Sequence, residues 1–64
     1  MTALQATHHA HALWYRQGIG QAVCLRTPEG VKYVVGIEKD RYDLEVFGES
    51  TESFEDAFQR AEGK

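Results

Sequence analysis

With 64 residues, 42% of them hydrophobic and 27% charged, the chain has room for one small domain built on one hydrophobic core. That size excludes a deep cleft between domains, and the composition excludes a coiled coil, a collagen and a fully disordered tail. The formal net charge of −3 is unremarkable until the charges are placed along the chain, and no apolar run approaches the roughly 18 to 20 residues that span a bilayer.

Residues 1–10 are a segment of the single domain with room to be flexible, and Leu13, Trp14 and Tyr15 need somewhere to pack. Read as a strand, this stretch puts His11, Leu13 and Tyr15 on one face; read as a helix, it puts Leu4, His8 and His11 along one side. Gly18-Ile19-Gly20 is the loop into a strand in which Val23 and Leu25 alternate with Ala22, Cys24 and Arg26. In Thr27-Pro28-Glu29-Gly30, proline presets the first central turn position and glycine can take the left-handed conformation of a bulge. A three-residue loop Pro28-Glu29-Gly30 would set Thr27 against Val31, Leu25 against Tyr33 and Val23 against Val35.

The next strand alternates Val31, Tyr33, Val35 and Ile37 with Lys32, Val34, Gly36 and Glu38. A two-residue turn or, in the favoured reading because glycine is absent, a four-residue loop from Lys39 through Tyr42 leads to Tyr42, Leu44 and Val46 alternating with Asp43, Glu45 and Phe47, and either even length gives the same parity. This parity sets Glu38 across from Asp43, Ile37 from Leu44, Val35 from Val46 and Val34 from Phe47. Ser53 is an N-cap, Phe54, Ala57, Phe58 and Ala61 form one apolar stripe, Asp56 can pair with Arg60, and Gly63 ends the helix. The sum is a single α+β domain over residues 1–64: a small antiparallel sheet of three to four strands with one C-terminal helix packed on one face. The other face would carry Arg26 and Lys32 at one end, Cys24, Val34 and Phe47 in the middle, and Glu38, Asp43 and Glu45 at the far end.

Little in the chain points to catalysis. His8, His9 and His11 are good ligand types, but a structural zinc site takes four ligands and Cys24 is the only thiol, so no metal or cofactor is expected. Strand alternation gives Cys24 no reason to meet a histidine, and a buried or half-buried structural role is expected for it. Asp43 and Glu45 share a face, yet so small a chain can hardly enclose a sugar and exclude water. Gly18-Ile19-Gly20 lacks the later glycine, lysine and helix of a phosphate loop. The expected protein is not an enzyme.

The placement of charge is less random. Residues 1–37 carry +2 and residues 38–62 carry −6, with Lys64 restoring one unit. Asp43, Glu45, Glu49, Glu52, Glu55 and Asp56 follow one another with no base between them. Such a field repels a phosphate backbone and attracts a basic surface. Four scattered bases, Arg16, Arg26, Lys32 and Arg41, neutralise too few phosphates for direct DNA binding. The expected site is therefore a protein-binding one, with Asp43, Glu45, Glu49, Glu52 and Glu55 as electrostatic contacts and Phe47 as apolar anchor. The expected partner is a basic nucleic-acid-handling host protein, met by a monomer or weak homodimer. The lone cysteine, and an amino terminus with neither a basic leader nor a long apolar core, suggest the host cytoplasm as its location.

Tyr33 to Glu62, ending in Ser53-Phe54-Glu55-Asp56-Ala57-Phe58, resembles the strand-strand-helix of HicB-type antitoxins. The resemblance implies a regulatory module that neutralises a toxin and can dimerise through a sheet edge. The strands-then-helix order is also similar to arm-type DNA-binding domains of tyrosine integrases, which are basic where this chain is acidic. In type, as a very small acidic single domain without catalytic residues, the chain looks most like the anti-CRISPR proteins. That likeness implies carboxylates occupying phosphate positions in the lysine- and arginine-lined channel of a nucleic-acid effector.

Overall fold

A computed structural model describes residues 1–40 and 43–63. The chain runs α1 (Ala3–Trp14), β1 (Ile19–Thr27), β2 (Gly30–Asp40), β3 (Asp43–Ser50) and α2 (Phe54–Glu62). The strands form one antiparallel meander in the order β1-β2-β3, and both helices lie on the same face of it. The class is α+β and the antiparallel sheet has three strands, as expected, but a second helix, at the amino terminus, accompanies the C-terminal one. Most of residues 1–10, a segment that the sequence left open to flexibility, belong to that helix. Thr2 caps it: its hydroxyl accepts from the Gln5 amide at 3.1 Å, while the Gln5 side chain accepts from the Thr2 amide at 2.9 Å. This reciprocal box satisfies two of the amides that a helix start leaves unpaired.

α2 is the helix read from the sequence. The Ser53 hydroxyl accepts from the Asp56 amide at 3.0 Å, Gly63 closes the other end, and Arg60 bonds Asp56 at 2.8 Å one turn on.

The register departs from expectation at both hairpins. Thr27 pairs with Gly30, Leu25 with Lys32 and Val23 with Val34, so the loop holds only Pro28 and Glu29. Gly30 has φ 138° and joins β2 as a paired residue instead of opening a bulge. A shift of one residue turns every β1 side chain over. Gly20, Ala22 and Cys24 now face the helices, and Val23 and Leu25 face away. At the second hairpin Asp40 pairs with Asp43, Glu38 with Leu44 and Ile37 with Glu45, so the Glu38/Asp43 juxtaposition does not form. Arg41 and Tyr42 lie outside the described residues. A second irregularity sets Val35 against Gly48 but Gly36 against Val46, which leaves Phe47 as an extra residue in β3.

Small residues account for this choice of faces. α1 packs on β1 and α2 on β3. A Cβ on Gly20 would collide with the backbone of Ala10 and His11, and one on Gly48 with the carbonyl of Ala57. Each edge strand thus offers a bare stretch of backbone on which a helix lies. The core is Ala6, Ala10, Ala22, Val35, Phe54, Ala57 and Phe58, with Trp14, Tyr33 and Ala61 packed at its margin. Ile37 is fully buried on the same side.

Candidate functional site

The carboxylates expected to form one patch are distributed over separate parts of the molecule, and most have partners within the chain. Glu45, near the start of β3, is held by Lys39 at 3.2 Å. Glu49, near the other end of β3, is held by Lys32 at 3.1 Å. Glu55, in the first turn of α2, lies 3.1 Å from the Met1 amino group, whose hydrogen bond holds its carboxyl below the usual range. Asp56 accepts from the Ser50 hydroxyl at 2.6 Å and from Arg60; these bonds, the Ser50 one foremost, lower its pKa as well. Asp43 and Glu52 are exposed. Exposed pairs of this kind contribute little stability, but they cancel the field that a basic partner would meet.

Phe47 is not on the uncovered face. As the bulged residue it turns toward the helices and meets Trp14 edge to face, with ring centroids 4.8 Å apart. It is a core-margin aromatic rather than an accessible anchor, and it supplies part of the cover that Trp14 needs.

The edge of β1, a possible site for pairing with another chain, is partly capped. The Thr7 hydroxyl donates to the Ala22 carbonyl at 3.2 Å and accepts from the Ala22 amide at 3.3 Å. One turn along α1, His11 Nδ1 accepts from the Gly20 amide at 3.2 Å. The match is geometric: four residues of helix rise about 6 Å, and two residues of strand advance about 6.8 Å. Thr7 and His11 therefore reach successive outward-facing backbone groups of β1 and block that stretch of edge. Thr7→Val keeps the shape and removes both hydroxyl bonds. It is expected to cost about 1–3 kcal/mol in urea unfolding and to speed hydrogen exchange at the Ala22 amide.

Among the described residues, no element lies over the face turned away from the helices. By alternation it presents Ile19, Gln21, Val23 and Leu25 from β1, Lys32, Val34, Gly36 and Glu38 from β2, and Leu44, Val46 and Glu49 from β3. Ile19 is 57% exposed, Leu25 48%, Val46 44% and Leu44 39%. Two diagonal polar links cross the centre, Lys32 to Glu49 and Gln21 to Glu38, the latter at 3.1 Å. Val34, 4% exposed, lies low between its strand neighbours. The sequence places Lys32, Val34 and Glu38 of β2 on this uncovered face, as observed, but not the residues that flank them, because the pattern put Val23, Leu25, Leu44 and Val46 on the covered side. The signal available was Gly20, Ala22 and Gly48, small residues at period two on the strands that carry helices.

The remaining candidates do not assemble into a reactive centre. His9 packs edge-on against Phe58 at 4.6 Å, His11 is engaged with Gly20, and His8 is exposed. Among the described residues, no three His, Cys, Asp or Glu side chains gather as a metal would require. Cys24 is exposed, not buried, although the register turns it to the helix side of the sheet, opposite Tyr33. A hollow beside α2 is lined by His9, Glu55, Asp56, Phe58 and Glu62 among others, and two of its three carboxylates, Glu55 and Asp56, are already bonded within the chain. Of the bases considered for DNA, Arg16 bonds Tyr15, Lys32 bonds Glu49, Arg26 is exposed, and Arg41 lies outside the described residues. No helix among the described residues is long and apolar enough to cross a membrane. Compared with family models, curated proteins and solved structures, the chain matches none of them.

Proposed function

We propose that this chain is a non-enzymatic binding domain that docks a basic nucleic-acid-handling protein on the open face of its sheet and thereby blocks that protein. The observation that carries the docking face is the set Ile19, Leu25, Leu44 and Val46, all well exposed on one face with polar groups interspersed. An apolar surface bordered by charge is how small interfaces are built. The carboxylates take a lesser part than phosphate mimicry demands. Glu45, Glu49 and Glu55 are each bonded to a cation of their own chain. The net charge of −3 favours a basic partner through long-range steering, and Asp43 and Glu52 add local contacts at most.

Photo-crosslinking residues placed in turn at Val23, Val46, Glu52 and Ala12 test the reading in cells that make the protein. Adducts with a basic protein are expected from Val23 and Val46 and not from Ala12 on the exposed side of α1. Adducts from Glu52 alone would return the site to the carboxylates. None from the open face would remove the docking surface.

A further inference from the structure

We infer that the resting occupant of the open sheet face is a second copy of this chain, stacked on it about a two-fold axis perpendicular to the strands. The inference rests on the docking reading above and supplies its regulation: a partner must displace the copy. The open face is self-complementary. Along the open face of the central strand β2 stand Lys32, Val34, Gly36 and Glu38, a cation at one end and an anion at the other. Two such faces can stack with a two-fold axis either along β2 or across it. An axis along β2 puts Lys32 over Lys32 and Glu38 over Glu38, which charge repulsion opposes. An axis across it, midway between Val34 and Gly36, puts Lys32 of each copy over Glu38 of the other.

The same rotation brings the flanking strands into agreement. On β1, Leu25 is level with Lys32 and Ile19 with Glu38, so the two most exposed large residues of this face meet each other across the axis. Gly36 has no side chain, because a Cβ there would strike the Glu45 carbonyl across the bulge, and Val34 faces the gap it leaves. On β3, Val46 meets the stem of Glu49, whose charge Lys32 already holds. Sheets pack about 10 Å apart with their strands near 30° to one another, a twist this stacking accommodates.

The face is small, three strands about 4.8 Å apart. The area buried therefore falls at or below the low end of specific interfaces, about 1,200 Å² in total. A weak dimer follows, strong enough to hold the face closed and weak enough to yield to a better partner.

Sedimentation equilibrium of the full chain from micromolar to millimolar concentration is the test. The mass is expected to rise from one chain to two across that range. Glu38→Lys and Lys32→Glu should each weaken association at least tenfold, since each sets like charges across both symmetric contacts. Mixing the two variants should restore it to within about threefold, because every contact then pairs opposite signs. Far-UV circular dichroism of each variant checks that the fold is kept. A chain that stays monomeric at millimolar concentration overturns the self-association, and crosslinks from Val23 to another protein would then leave the docking reading standing. A dimer indifferent to both reversals and to Leu25→Ser places the contact elsewhere and removes the copy from this face.

Discussion

Gly20→Ala is expected to lower the stability of the domain by about 3 kcal/mol. The added carbon would fall inside the van der Waals shell of the backbone of Ala10 and His11, so no rotamer change can relieve it. Relief requires α1 to lift away from β1. Lifting stretches the bond from the Gly20 amide to His11 and the pair between Thr7 and Ala22, and it withdraws Ala6 and Ala10 from the core. A domain of this size is stable by about 3–10 kcal/mol in all, so the variant should be largely unfolded or reduced to its sheet and α2. Urea unfolding gives the size of the loss, and the near-ultraviolet signal of Trp14, packed against Phe47 and Phe58, shows whether α1 has come away. A loss under about 0.5 kcal/mol would mean that the helix does not sit on this glycine.

Why the sequence disclosed some elements and hid others follows from the same packing. α2 was legible because its buried stripe is made of phenylalanines at helical spacing behind a serine cap. The strands were legible from alternation, which fixes that a segment is a strand but not which of its faces is inward when both carry apolar residues. In β2, Val35 and Ile37 face the helices while Val34 faces away, and all three are buried. Size then misled: Val23 and Leu25 outrank Ala22 in hydrophobicity, yet a helix lying close on an edge strand needs Gly20 and Ala22 beneath it. α1 stayed ambiguous because its buried residues are Ala6 and Ala10, too small to mark a stripe, although Thr2 and Gln5 already spelled a capping box. The expected acidic patch was a property of chain order alone. Folding interleaves Lys32 and Lys39 of β2 with Glu49 and Glu45 of β3, so charges that are segregated along the chain are paired across the sheet.

Phe58→Ala is expected to cost about 3–5 kcal/mol, comparable to the whole stability at its lower bound. Phe58 is 5% exposed and belongs to α2, but two of its aromatic neighbours, His9 and Trp14, belong to α1. It is therefore the side chain through which the two helices hold each other as well as the sheet. Phe54, equally buried at 3%, faces Tyr33 of β2 at 4.9 Å and anchors α2 to the sheet. Phe54→Ala should give a loss of similar size by a different route. Trp14 separates the two cases: its emission should move to the red in Phe58→Ala while the protein is still folded, and stay close to that of the parent in Phe54→Ala. Both substitutions lie on the helix side of the sheet, so in the fraction that remains folded Ile19, Leu25, Leu44 and Val46 keep their places. Self-association per folded chain should then be unchanged, which separates the layer that holds the fold from the face assigned to binding.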